Sequence, residues 1–215
     1  MSSDLQAELE KEPPYAAELF GNQIDLARAF TQRLAQDSET FGLLGPRELS
    51  KIWSRHVINS GLLAELIKPG SQVADVGSGA GLPGIPMAIA QPAAHFTLIE
   101  PMERRANWLK AVVQDLKIQN IEVVRARAEE VKKNDFDYAT ARAVASLDKL
   151  LKLMTPLIRE APNGTIIAMK GSKAEQEIEE AAKILSKFGY SQPEVLILGS
   201  GKAPETATVV RTFLK

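Results

Sequence analysis

A chain of 215 residues with 45% hydrophobic and 25% charged content is long enough for one α/β core plus an appended helical piece, and short for two independent domains. No apolar run approaches the roughly 20 residues that span a bilayer, and the N-terminal MSSDLQAELEKEPP lacks the basic start and apolar centre of a secretory signal, so a cytoplasmic protein with no membrane partner is expected. The absence of cysteine excludes disulfides, thiolate metal sites and cysteine nucleophiles, and a formal net charge of −1 argues against a broad polybasic surface, so any nucleic-acid substrate must meet a local basic patch.

Helical periodicity fills the first 70 residues, in blocks from Leu5 to Lys11, Ala16 to Leu34 and Pro46 to Leu66. Pro13 and Pro14 separate the first two, and the turn from Gly42 to Pro46 separates the last two. From Gln72 short apolar runs alternate with helical stretches: VADVG and PGIPMAIA, FTLIE and ERRANWLKAVVQDL, IEVVRA and a short acidic connector, FDYATARAV and LDKLLKLMTPLI, then GTIIAMK. Such alternation predicts right-handed crossovers building a parallel sheet. One more helix, AEQEIEEAAKILSKFGY, and two strands, EVLILG and TVVRTFLK, close the chain; seven strands result, the last pair a hairpin. Pro156 should kink or shorten the helix from Leu147 to Ile158. The expected architecture is an N-terminal helical extension over 1–70 followed by an α/β, Rossmann-like domain over 71–215, with a mostly parallel seven-stranded sheet.

In VADVGSGAGLPG the strand runs into Gly77, Gly79, Gly81 and Gly84, so the backbone can turn sharply and approach a ligand with no side chain in the way. The spacing Gly79-x-Gly81-x-x-Gly84 also fits the dinucleotide fingerprint, and alone it does not choose a cofactor. Asp75 lies inside the strand, where a carboxylate could reach the cationic amino-acid end of S-adenosylmethionine but would repel a pyrophosphate. Pro83 and Pro86 flank the helix start and remove amide donors that an anion-binding helix end would use. Glu100 closes the next strand, placed to accept both ribose hydroxyls of an adenosine, which serves a nicotinamide cofactor equally well. Arg142 ends the fourth strand at the carboxyl edge of the sheet, where it could hold a ribose, a carboxylate or a phosphate, or form a structural ion pair. These residues favour S-adenosylmethionine and a class I methyltransferase, with an NAD-dependent oxidoreductase as the alternative. His56 and His95 have no metal-ligand spacing, and no metal is expected.

RHVINS at Arg55 to Ser60, DVGSGAGLPGIPMAI at Asp75 to Ile89, LIEPMERRANWL at Leu98 to Leu109, RAEE at Arg127 to Glu130, TARAVASL at Thr140 to Leu147 and AMKG at Ala168 to Gly171 together resemble the glucose-inhibited division protein B family, also called RsmG. That resemblance spans roughly residues 40 to 175 and implies methylation of N7 of a guanine in 16S ribosomal RNA, naked or in the small subunit, by a monomeric enzyme. It implies cofactor contacts from Gly77, Leu82, Glu100, Ala128, Glu129 and Arg142, to which the glycine turn adds Gly79 and Asp75. Arg55, His56, Arg105 and Lys170 become candidates for the RNA side. Two departures touch the extension: Asn59 stands where the family has aspartate, and FGLLGPRE at Phe41 to Glu48 replaces its usual WN…NLT stretch.

The chemistry narrows in the same direction. Without cysteine the covalent route to pyrimidine C5 is closed, because that route needs a thiolate to add to the ring. Glu12-Pro13-Pro14-Tyr15 looks like the [DNS]PPY motif of amino-methyltransferases but precedes the first helical block, where it reads as a helix-breaking entry segment. Guanine N7 carries an in-plane lone pair and no proton, so no side chain need act as a general base and catalysis reduces to placement and exclusion of water. RNA affinity would come from phosphate contacts, with Lys51, Arg104 and Arg125 as further candidates. Trp53 and Trp108 could stack a base, though core packing suits both better. Methylation of another base or of a small molecule is the remaining alternative.

Overall fold

In the computed structural model, which describes residues 9–132, 134–142, 145–158 and 164–215, the strands are β1 (Gln72–Val76), β2 (His95–Ile99), β3 (Ile121–Val124), β4 (Tyr138–Arg142), β5 (Thr165–Lys170), β6 (Glu194–Leu198) and β7 (Ala207–Phe213). They form one sheet in the order β3-β2-β1-β4-β5-β7-β6. The first five strands pair in parallel, whereas β7 runs antiparallel to both β5 and β6. Strand order reverses between β1 and β4, so the loops leaving their carboxyl ends diverge to opposite faces and open a crevice there. The expected seven strands and closing hairpin are all present.

The helices that flank this sheet are α1 (Tyr15–Phe20), α2 (Ile24–Phe41), α3 (Gly84–Ala90), α4 (Glu103–Asp115), α5 (Leu147–Met154) and α6 (Ala174–Phe188). Alternation along β1 divides its side chains between two cores: Val73 joins Ile85, Leu98, Trp108 and Ile167 on one face, while Ala74 and Val76 join Leu150, Leu151 and Ala181 on the other. Residues from Ala16 to Ile67 contribute to the first of these cores, so the N-terminal helices cover the sheet directly and share its apolar interior. In α2 the buried positions Ala27, Phe30, Thr31, Leu34, Ala35 and Ser38 recur at helical spacing, which presents one stripe to that core. Asp37 on the same helix accepts from Trp108 Nε1 at 2.7 Å and pairs with Arg33 at 2.5 Å, and Arg33 reaches Asp115 at 2.9 Å, fastening α2 to α4.

Three expectations need correction. The block from Pro46 to Leu66 is not one regular helix: it winds as a 3-10 turn (Pro46–Lys51), a π-helix (Ile52–Ile58), a single α turn (Asn59–Gly61) and a second 3-10 turn (Leu62–Leu66). The wide π turn buries every residue from Ile52 to Ile58 except Arg55, and the leading amides of Trp53 and Ser54 donate to Glu10 Oε2 at 2.8 and 3.0 Å. The block from Ala16 to Leu34 is interrupted at Gly21, whose φ of 49° breaks α1 from α2, and α2 then runs on to Phe41. Of the helix expected from Leu5 to Lys11, residues 5–8 lie outside the described residues and 9–11 are not helical. The entry segment at Pro13 and Pro14 does precede a helix start at Tyr15, and α5 ends at Met154, ahead of Pro156.

Candidate functional site

The crevice at the carboxyl end of β1 is built by the glycine turn. Gly77 and Ser78 both donate their amides to the Ile99 carbonyl, at 2.9 and 3.2 Å, which ties the turn to the end of β2. At Gly79, φ is 53° and an added Cβ would meet nothing closer than the Gly77 carbonyl at 3.8 Å, so this residue presents bare backbone to open space. Gly84 is glycine for a different reason: a Cβ there would lie 2.6 Å from Asp75 Oδ2 and 2.3 Å from Leu98 Cδ2.

That close approach relocates Asp75. Its carboxylate, expected at the cofactor's amino-acid end, is fully buried beneath the turn and accepts from the Gly84 amide at 3.1 Å through Oδ2. Burial, with a smaller contribution from the charge of Glu100, pushes its pKa up to about 7. Asp75 fronts none of the clefts at this end of the sheet, because the first turn of α3 packs over it. Its Oδ2 ties the glycine turn to the helix, while its Oδ1 is buried with no hydrogen-bond partner among the described residues.

Above the turn lie two adjoining lobes of a trough. The first, about 500 Å³, is walled by Gly77 to Ala80, Leu82, Glu100, Arg105, His56 and Arg142, with Leu43 and Leu44 of the N-terminal segment closing one side. The second, about 460 Å³, is walled by Val76, Ile99, Arg127, Ala128, Glu129 and Leu153. Gly77, Pro101 and Met102 border both, so the two lobes form one elongated groove. Glu100, nearly buried, accepts from the Gly79 amide at 2.9 Å and from the Met102 amide at 2.8 Å, one bond to each oxygen. Each oxygen keeps a lone pair for a ligand hydroxyl. Ala128 and Glu129 sit in a 3-10 turn just after β3, Ala128 buried and Glu129 exposed.

Arg142, at the end of β4, is fixed by a chain of hydrogen bonds that begins at Glu48. Its Nη2 donates to His56 Nδ1 at 2.7 Å and its Nη1 to Ser60 Oγ at 3.1 Å, while His56 Nε2 lies 2.8 Å from Glu48 Oε2. Since Nδ1 accepts, Nε2 carries the proton and donates to the carboxylate, and the imidazole is neutral. Burial, and then the neighbouring Arg142 cation, hold the His56 pKa below its ordinary value, and burial brings Arg142 down to about 10. The hydrogen bond from His56 holds Glu48 below the usual carboxylate range.

The four residues expected on the RNA side take different places. His56 is buried in the relay just described. Arg55, next to it, is exposed, with Glu48 at 3.7 Å and Glu205 at 3.6 Å. Arg105 borders the trough and donates to the Gly42 carbonyl at 3.1 Å. Lys170 is not a free cation: its side chain is 6% exposed and its ammonium lies 2.8 Å from Glu177 and donates to the Ala145 carbonyl at 2.7 Å. Glu177 also accepts from the Leu147 amide at the start of α5, so this cluster anchors the chain entering that helix. Arg104 caps the Thr40 carbonyl and lies over the Phe41 ring, and Arg125 pairs with Glu103 at 2.9 Å. Trp53 and Trp108 are both core residues. Glu48, Ser60, Met102 and Glu177 went unnoticed in the sequence, and Ala143 and Val144, expected beside Arg142, lie outside the described residues. Among the described residues no group of acidic and histidine side chains is arranged to hold a metal ion, and no helix is long and apolar enough to cross a membrane.

A family model for GidB, rRNA small subunit methyltransferase G, matches residues 23–203. The ribosomal RNA small subunit methyltransferase G of Leifsonia xyli is 48% identical over 208 residues, covering 96% of this chain and 98% of the relative. That of Clavibacter michiganensis is 50% identical over 204 residues, covering 94% and 95%. Among solved structures, a precorrin-6y C5,15-methyltransferase from Geobacter metallireducens superposes with a TM-score of 0.54 at 14% identity, over 80% of this chain and 91% of that one, a likeness of fold alone.

Proposed function

The chain belongs to the GidB family, rRNA small subunit methyltransferase G, and on that premise we propose that it transfers the methyl group of S-adenosylmethionine to N7 of a guanine in 16S ribosomal RNA. The observation that carries the reading is the two-lobed trough over Gly77, with a buried carboxylate, Glu100, in one lobe and a half-buried guanidinium, Arg142, at its end. The residues present fit the donor. Bare backbone at Gly79 leaves room for a ribose, and the spare lone pairs of Glu100 accept its hydroxyls. Ala128 and Glu129 serve the adenine edge in the second lobe. Arg142 retains guanidinium N–H groups beyond those given to His56 and Ser60, and these hold the methionine carboxylate. S-adenosylmethionine supplies a methyl group made electrophilic by its sulfonium.

The rest of the reaction is positioning. His56, the one histidine in the trough, has both ring nitrogens committed, to Arg142 and to Glu48, and offers no lone pair to a substrate. Glu100 has one backbone amide on each carboxylate oxygen, and the bound ribose hydroxyls take the lone pairs that remain. A nucleophile that must lose a proton would find no base there, whereas guanine N7 needs none. What the protein contributes is a nearly in-line approach at about 3 Å, beside an apolar wall of Leu43, Leu44 and Leu82 that limits water there. The test is transfer of a labelled methyl group to small ribosomal subunits from a strain without the activity, followed by nucleoside analysis. Label in 7-methylguanosine is expected; label in another nucleoside, or only in protein, overturns the assignment.

A further inference from the structure

A cleft of about 700 Å³, roomier than either lobe of the trough, lies beside it on the far side of Arg142. Arg142 lines both, so the two hollows adjoin at its guanidinium. The second cleft is walled by Arg55 and Asn59 on one side and by Met169, Gly171 and Lys173 at the end of β5 and the start of α6 on the other. Its volume falls in the range of about 300–1,000 Å³ that encloses a small ligand. Four cations and two carboxylates line it. Both acids are engaged: Glu177 by Lys170 and the Leu147 amide, and Glu180 by Gln176 Nε2 at 2.9 Å. Arg55 meets its carboxylate neighbours only at 3.6 and 3.7 Å, beyond a good hydrogen bond, so an anion can displace them at small cost. The cleft therefore presents an apolar thioether at Met169, a half-buried cation at Arg142, and two exchangeable cations at its rim.

RNA geometry gives such a cleft a use. In a paired A-form helix N7 lies in a major groove too deep and narrow for a protein to enter, so a base modified there must be unpaired or turned out of its stack. The adenine lobe of the trough lies at the Ala128 end, which leaves the methyl end beside Arg142, facing the second cleft. We propose that this cleft receives one nucleotide extruded from the RNA, its base over Met169 beside Arg142 and its phosphate between Arg55 and Lys173, with the Glu48–His56 pair holding the guanidinium that both ligands touch. The inference rests on the reading of the trough as a methyl-donor site.

Gly171 makes the test clean. A Cβ added there would meet nothing within 4 Å, and its backbone is not in the left-handed region, so a larger side chain projects into the cleft without strain. Gly171→Leu should leave the melting temperature and the affinity for S-adenosylhomocysteine at wild-type values, while methyl transfer to small subunits falls by about tenfold or more. Lys173→Glu, on the exposed rim, should raise KM for the RNA and leave kcat unchanged. Transfer by Gly171→Leu at the wild-type rate, or parallel loss of S-adenosylhomocysteine binding, would overturn the proposal. Failure of the underlying reading shows separately, in the wild-type protein, as no S-adenosylhomocysteine binding at all.

Discussion

Asp75 and His56 are both buried and both titrate abnormally, yet their effects on stability run in opposite directions. Asp75 has a folded pKa near 7 against an ordinary 3.8, so the native state binds a proton that the unfolded chain releases, and its contribution to stability rises as pH falls from 8 toward 4. His56 has a folded pKa below 6.5, so the unfolded chain is protonated first and the contribution is lost as pH falls through that region. Variants separate the two. Asp75→Asn should be more stable than wild type at pH 8, by a urea midpoint difference that shrinks by pH 5; His56→Gln should gain on wild type between pH 7.5 and 5.5. Differences that stay constant with pH would show that neither group is held as described. At Gly84 the argument is steric: Gly84→Ala forces a Cβ against Asp75 and Leu98 and should cost about 1–3 kcal/mol of unfolding free energy.

The glycine turn was legible because its residue types are forced by backbone geometry and close approach, both local properties. The function of Asp75 was not. Position in a strand says which face a side chain takes, but only packing shows that α3 closes over that face. The ion pair of Lys170 was not legible for a similar reason, since its partner Glu177 lies on the following helix at no fixed spacing.

At the level of elements, the segment from Pro46 to Leu66 shows where sequence periodicity runs out. Apolar spacing fits a helix, but the 3-10 and π windings each differ from the α winding by less than one residue per turn, too little for the pattern to resolve. Glu48 and His56 stand eight residues apart, about 12 Å in a regular helix, and their 2.8 Å contact exists only because the winding changes at Lys51, where φ is −135°. Glu10 stabilises this arrangement by accepting the two leading amides of the π-helix. Glu10→Ala should leave those amides unsatisfied at a cost of about 1–3 kcal/mol. Because the π-helix carries His56 to Arg142, the same variant should also weaken S-adenosylhomocysteine binding, measured by calorimetry. An unchanged dissociation constant would uncouple the segment from the site.

For the whole molecule, strand count and order of elements were readable because buried parallel strands are short, apolar and regularly interrupted. The division at residue 70 described composition more than construction. Residues from Ala16 to Ile67 pack in the same core as Val73, Leu98 and Ile167, so a fragment beginning at residue 71 should lack a cooperative urea transition. The N-terminal segment also supplies Leu43, Leu44 and His56 to the trough and Arg55 and Asn59 to the cleft beside it. A core shared with the sheet and a site built by both segments thus argue for a single working unit, for which the proposed chemistry is methylation of an RNA guanine at N7. The most direct check is a mass map of modified guanines in 16S ribosomal RNA from cells with and without this protein. Loss of one 7-methylguanine, restored by the wild-type chain, is the outcome expected; an unchanged map would contradict the account.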